Sequence, residues 1–81
     1  MNTYKNQKPE RRNKLGTKLR RLRQMNDFTQ TEIAAHLFIS QSCYSAYECG
    51  AFMPSIASLN ILARLYEIPI TDLLKEELYC E

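Results

Sequence analysis

The chain has 81 residues, of which 44% are hydrophobic and 25% charged. This is the composition of one small folded domain rather than of a disordered chain. No uncharged stretch is long and apolar enough to span a membrane, and no apolar run follows the basic N-terminus as a signal peptide requires. The expected location is therefore cytoplasmic.

Catalytic and metal chemistry find little support in the residue pattern. The chain has three cysteines, an odd number without a CxxC pair, and one histidine. These spacings argue against a disulfide framework and against a metal site. No grouping of nucleophile and base, no paired carboxylates and no glycine-rich phosphate loop stand out. We therefore expect a protein that is not an enzyme and that has no cofactor.

The charge is distributed very unevenly along the chain. Residues 1–23 contain nine basic residues and one acidic residue, whereas residues 24–81 contain two basic and eight acidic residues. The two parts have net charges of +8 and −6. Such asymmetry suits contact between one end of the molecule and a polyanion. A solvated helix face followed by a flexible tail is the alternative, so charge alone does not identify nucleic acid as the partner.

The first predicted elements are an arm and a helix. Residues 1–12 show no apolar periodicity and are expected to form a flexible basic arm ahead of a folded domain at 13–81. The first helix begins near Asn13, and its apolar residues have helical spacing. They are Leu15, Leu19, Leu22 and Met25.

The second and third predicted helices are short and adjacent. Thr29 and Glu32 have the spacing of a capping box, which begins the second helix. Ser40 is the predicted N-cap of a third helix that runs from about Gln41 to Glu48. Two short helices joined by a tight turn, the second of them polar on one face, are typical of a helix-turn-helix, whose second helix enters the DNA major groove.

Two further helices complete the predicted fold. Pro54-Ser55 begins the fourth helix, and we expect Ile56 to belong to its inward apolar stripe. The fifth helix begins near Ile70. The loop residues Phe52 and Met53 are expected to pack on the core. The predicted fold is thus all-α, a compact five-helix bundle that contains a helix-turn-helix.

Several sequence fragments occur here at a specific joint spacing. They are Thr29–Ala34, Tyr47–Gly50, Pro54-Ser55 and Leu62-Ala63. With them, the sequence resembles the phage lambda repressor, Cro and XRE family of helix-turn-helix proteins over about Leu15 to Leu74. The resemblance implies a lambda repressor-like domain that binds double-stranded operator DNA as a homodimer and regulates transcription. It also places the helix-turn-helix motif at residues 30–49.

The resemblance implies roles for individual residues. Gln30 takes a phosphate-contacting position at the start of the second helix. Arg23 and Glu48 match a structural charged pair that ties the first helix to the end of the third. The groove-facing positions are those of Gln41, Ser42, Ser45 and Ala46. From the basic face of the first helix, candidates for phosphate contact are Lys14, Lys18 and Arg21.

Two positions and one loop depart from the family pattern. The loop at 51–53 lacks the basic residues often found between the glycine and the proline, which removes phosphate contacts. Phe38 stands where the family usually has glycine in the turn, so a non-glycine residue must adopt that backbone or the turn must change shape. Tyr44 replaces the usual small aliphatic residue and requires a roomier core.

The C-terminal segment is more apolar than the docking of one short helix requires. We expect part of it to form a homodimer interface. The residues concerned are Leu73, Leu74, Leu78 and Tyr79.

Two functional hypotheses follow. The first is a sequence-specific, repressor-like regulator that acts by occupying an operator. The alternative is a protein-interaction module, such as an antitoxin or adaptor, that keeps the fold but reads little operator sequence. The uncharged loop at 51–53 and the tyrosines Tyr44 and Tyr47 favour this alternative. The two differ in salt dependence, because DNA binding weakens steeply with ionic strength.

Overall fold

The structure is a computed structural model that describes residues 14–75. The expectations for the arm at 1–12, and for Leu78 and Tyr79, lie outside these residues. The described range contains α-helices and no strand. The helices are α1 (Lys14–Met25), α2 (Gln30–Leu37), α3 (Gln41–Cys49), α4 (Ile56–Tyr66) and α5 (Ile70–Leu74). The prediction of an all-α bundle with a helix-turn-helix is confirmed. None of these helices is both long and apolar enough to cross a bilayer.

Hydrogen bonds at the N-caps explain where the helices begin. The Thr29 hydroxyl accepts the backbone N–H of Glu32 at 3.1 Å, and the Glu32 carboxylate accepts the N–H of Thr29 at 2.9 Å. These two bonds are the predicted capping box. Ser40 and Ser55 cap α3 and α4, each accepting a backbone N–H from three residues further on at 3.1 Å.

Three of the helices, α2, α3 and α4, end at a residue with left-handed backbone, and one of these three residues is a glycine. Phe38 closes α2 with φ 60°, and Glu67 closes α4 with φ 59°. Gly50 closes α3 with φ 83°. Phe38 therefore adopts the backbone that would suit glycine, at a cost of about 1–2 kcal/mol. Its ring does not offset this cost by packing, since the residue is 89% exposed.

The core is formed by one face of each helix. Its largest fully buried side chains are Leu19, Ile33, Tyr44, Leu59, Leu62 and Leu73. The bundle accommodates Tyr44 at the place of a smaller residue, and its ring meets that of Tyr47 edge-on, with 6.0 Å between the ring centroids. Edge-to-face pairing of this kind is a favourable aromatic geometry. Both rings belong to α3 and are buried, so they form part of the face by which α3 packs into the core.

Four expectations about burial are wrong. Met25 and Ile56, expected on inward stripes, are 69% and 63% exposed, and the loop residues Phe52 and Met53 are 59% and 72% exposed. Met25 is the last residue of α1 and Ile56 the first of α4, so neither lies where its helix meets the core. The loop backbone is held to α3, because the N–H of Phe52 donates to the Ala46 carbonyl at 3.3 Å. Its large side chains remain in solvent.

The last helix is attached to the core and to α1. Leu73 is buried in the core of its own chain. This corrects the expectation that Leu73 lies in a homodimer interface, because an enclosed side chain cannot touch a second copy. Leu74 is exposed. The Lys18 ammonium donates to the backbone carbonyls of Asp72 and Lys75 at 2.8 and 2.9 Å, so it caps the C-terminal end of α5.

Candidate nucleic-acid interface

The helices α1 and α3 meet at Gly16. A Cβ atom at this position would lie less than 3 Å from the backbone carbonyl groups of Tyr47 and Glu48. Real Cβ atoms do not approach a backbone so closely, so glycine permits the contact that a larger residue would prevent. The crossing brings Arg20 and Arg23, which lie one and two turns further along α1, to the side chain of Glu48.

An ion pair joins α1 to the end of α3. The Arg23 guanidinium donates to the Glu48 carboxylate from Nε at 2.6 Å and from Nη2 at 3.2 Å. Its Nη1 donates to the Phe28 carbonyl at 3.0 Å. The Glu48 side chain is fully buried, and that of Arg23 is nearly so. One guanidinium thus ties α1, the start of the helix-turn-helix and the end of α3 together.

The surroundings of Glu48 keep its carboxylate ionised. Burial by itself would raise the pKa of Glu48, but hydrogen bonds, above all those from Arg23, bring the pKa below its usual value. The same hydrogen bond raises the pKa of Arg23. Burial raises the pKa of Tyr44, and the nearby Glu48 carboxylate raises it further. Burial also raises the pKa of Tyr66, to about 12. At neutral pH the pair is charged and both tyrosines are neutral.

The Glu48 carboxylate also orients two glutamine side chains. Gln30 Nε2 donates to Glu48 Oε1 at 2.9 Å, and Gln41 Nε2 donates to Gln30 Oε1 at 2.6 Å. A carboxylate only accepts hydrogen bonds, so Gln30 must turn its NH₂ group to Glu48 and its oxygen to Gln41. Gln41 keeps its carbonyl oxygen and a second N–H for a ligand. One acceptor beside one donor complements the major-groove edge of adenine.

The other predicted groove residues lie on the same helix as Gln41. Ser42 is exposed, and Ser45 and Ala46 are half-buried on α3. All three residues lie near Gln41 on one helix. Among the described residues, no hydrogen bond orients their side chains as Gln30 orients that of Gln41.

Arg23, Glu48, Gln30 and Gln41 form one hydrogen-bonded cluster, and the predicted basic residues lie on a different side of α1 from it. Lys14, Lys18 and Arg21 share one face by their i, i+3 and i+4 spacing, and Lys18 reaches α5. Arg20 contacts the cluster, with its Nε 3.5 Å from Glu48 Oε1 and its side chain half exposed. Sequence reasoning missed Arg20. The signal was its i, i+3 spacing from Arg23, which places both on one helix face.

Several kinds of known protein are similar to this chain. A family model described as a helix-turn-helix domain matches residues 16–78. The Vibrio cholerae protein named cryptic phage CTXphi transcriptional repressor RstR is 33% identical over 60 residues, covering 74% of this chain and 54% of that protein. The Enterococcus faecalis HTH-type transcriptional activator BcrR is 32% identical over 60 residues, covering 74% of this chain and 29% of that protein.

A third relative has the same character. The Bacillus subtilis HTH-type transcriptional regulator YobD is 35% identical over 57 residues, covering 70% of this chain and 51% of that protein. The chain therefore spans about half the length, or less, of these curated relatives. No solved structure gives a significant match. Because the family match extends over most of the chain and includes both α2 and α3, the chain belongs to the helix-turn-helix domain family, of the XRE and lambda repressor-like kind.

Proposed function

We propose that the protein is a sequence-specific DNA-binding transcriptional regulator that represses by occupying operator DNA as a homodimer. In this proposal α3 enters the major groove, which is about 12 Å wide and admits one helix. The observation that carries the proposal is the orientation of Gln41 by Gln30 and the buried Glu48. An exposed glutamine on the first turn of a groove helix is useful for reading bases only when its donor and acceptor are fixed.

The relatives support regulation of transcription. One is named a transcriptional repressor, one an activator and one a regulator. We favour repression because blocking an operator needs only a domain that binds DNA, and because a phage relative is named a transcriptional repressor.

Phosphate contact is assigned to residues around the same cluster. Gln30 is the first residue of α2, where the free N–H groups and the helix dipole favour an anion. Arg20 adds a half-exposed guanidinium beside it, and guanidinium groups suit phosphate. Lys18 is a weaker candidate than the sequence indicates, because its ammonium is bonded to the end of α5.

The test compares specific with random DNA. Duplexes are first selected by the protein from a randomised pool, and affinities are then measured for a selected and a scrambled duplex. Gln41→Ala should weaken binding to the selected duplex by about 1–3 kcal/mol and leave the scrambled duplex almost unchanged. The fold should persist, because Gln41 is exposed.

Gln24→Ala is the matched control, since it removes an exposed glutamine from α1. This variant should bind both duplexes as the wild type does. Equal losses of Gln41→Ala on both duplexes would show that Gln41 touches phosphate and that bases are read elsewhere. A pool that yields no enriched sequence would contradict sequence-specific binding altogether.

A protein-interaction module is the second candidate. The exposed apolar side chains of Phe52 and Met53 favour it, because such residues suit a protein surface better than a phosphate backbone. Salt separates the two functions. A module of this kind would retain a protein partner at high ionic strength and would not shift DNA at low ionic strength.

A further inference from the structure

An uncharged and apolar surface directly follows α3. Residues 49–63 include no charged residue, although a quarter of the chain is charged. Five apolar residues of this stretch are exposed within the seven positions 51–57, where the loop enters α4. We call them the loop patch: Ala51, Phe52, Met53, Ile56 and Ala57. Large apolar side chains that lie together in solvent mark a surface that binds a partner.

We propose that the loop patch is the contact between two copies of this chain, related by a two-fold axis. The inference rests on the homodimer of the proposed function and names the surface that forms it. It replaces the C-terminal interface expected from the sequence, of which Leu73 is buried within its own chain.

Charge favours a second copy as the occupant. Across a two-fold axis a residue near the axis meets its own counterpart, so any charge there faces the same charge. The loop patch carries none and can meet itself without repulsion. The exposed face of α1, by contrast, bears Arg20 and Arg21 and would place positive charge against positive charge. The side chains of the patch also carry no cation and no hydrogen-bond donor for a phosphate.

The first experiment measures self-association of the full chain by sedimentation equilibrium, without DNA and with the selected duplex. The wild type should form dimers. Ile56→Asp should raise the dimer dissociation constant about tenfold or more, because it places a charge on each side of the axis. Ile56 is exposed and is the first residue of α4, where an acidic residue suits the helix dipole. Circular dichroism should show unchanged helicity.

Two further variants complete the set. Met53→Asp changes the patch outside any helix and should act as Ile56→Asp does. Leu74→Asp places the same charge at an exposed apolar residue of α5 and should leave the dimer intact.

A cross-link gives a second readout. Cys49 is exposed at the end of α3, next to the patch. In a Cys43→Ala, Cys80→Ala background, a short bismaleimide should join two copies through Cys49. Adding Ile56→Asp should abolish the product.

Each outcome has a distinct meaning. A dimer that is lost in Leu74→Asp but survives both patch variants overturns the inference and leaves the homodimer standing. A wild type that is monomeric both free and on DNA overturns the inference together with the homodimer. A dimer that the patch variants weaken supports the inference. It does so even if the randomised pool yields no enriched sequence, because that outcome contradicts only sequence-specific DNA binding.

Discussion

Glu48 is the residue on which the candidate interface depends. Its buried carboxylate accepts from Arg23 and Gln30, and through Gln30 it orients Gln41. A buried ion pair contributes little net stability because desolvation opposes the attraction. The Glu48 carboxylate instead fixes the geometry, since with its partners it holds the first turn of α3, the start of α2 and the second half of α1 in one arrangement.

The pair can be tested by a double-mutant cycle. Arg23→Met and Glu48→Gln each leave a buried polar partner without its counterpart, and each should lower the free energy of unfolding by about 3 kcal/mol. The double variant should lose less than the sum of the two, because the groups act together. Urea unfolding gives the four values. Arg21→Met removes an exposed arginine from the same helix and should change stability by about 0.5 kcal/mol at most. Additive losses would show that the pair is not coupled.

Acid should destabilise the protein through the same carboxylate. The pKa of Glu48 is lower in the folded chain than its ordinary value, so the unfolded chain binds a proton more readily. The stability that this contributes is fully present above the ordinary glutamate pKa of about 4.3 and is lost as the pH falls through the folded value. Urea midpoints between pH 7 and pH 3 should therefore fall less steeply for Glu48→Gln than for the wild type. Identical slopes would contradict a lowered pKa.

At the scale of the elements, the crossing of α1 and α3 decides the site geometry. Gly16 would be expected to weaken a helix, since glycine inside a helix costs about 1 kcal/mol relative to alanine. The structure shows its benefit, because the backbone of α3 occupies the space of a side chain. A conflict between local propensity and tertiary packing is resolved here in favour of packing.

Gly16→Ala tests this contact. On helix propensity alone the substitution would stabilise the protein, whereas the clash with the α3 backbone should destabilise it by about 1–3 kcal/mol. The sign therefore distinguishes the two effects in thermal or urea unfolding. Thr17→Ala, at the exposed neighbouring position of the same helix, should give no loss. A more stable Gly16→Ala protein would show that the two helices can separate at little cost.

At the scale of the whole molecule, the separation of charge remains the main electrostatic feature. Eight of the nine acidic residues follow residue 23, whereas nine of the eleven basic residues precede residue 24. In the described residues, α1 carries five of the seven Lys and Arg side chains, and two of them, Arg20 and Arg23, contact Glu48. Of the basic residues of α1, Arg20 therefore adds exposed positive charge beside the proposed base-reading helix, whereas Lys14, Lys18 and Arg21 lie on a different side of α1.

Salt dependence should report the phosphate contact of Arg20. The logarithm of the DNA association constant should fall linearly with the logarithm of salt concentration, by about 0.9 for each neutralised phosphate. Arg20→Gln should reduce this slope by about one such step on selected and scrambled duplexes alike. Arg64→Gln, which neutralises an exposed arginine on α4, should leave the slope unchanged. An unaltered slope for Arg20→Gln would remove Arg20 from the interface.

The helix-turn-helix was predictable because its signals are local. A capping box needs only Thr29 and Glu32 three residues apart, and Ser40 and Ser55 cap their helices through amides of the same turn. Apolar periodicity similarly placed Leu19 and the buried stripe of α4 in the core. The charged pair of Arg23 and Glu48 could be predicted from the family resemblance, because a family pattern reflects the contacts of a shared tertiary structure.

The remaining features depend on contacts between residues far apart in the chain, and only the tertiary structure decided them. Lys18 has the sequence character of a phosphate ligand, yet it caps α5 across more than fifty residues. Met25 and Ile56 fit the period of their helices but lie beyond the core. Periodicity shows toward which side of its helix a side chain points, but it does not show which other element packs against that side. What lies opposite Gly16 and Arg20 is the end of α3, and that contact depends on how the helices cross.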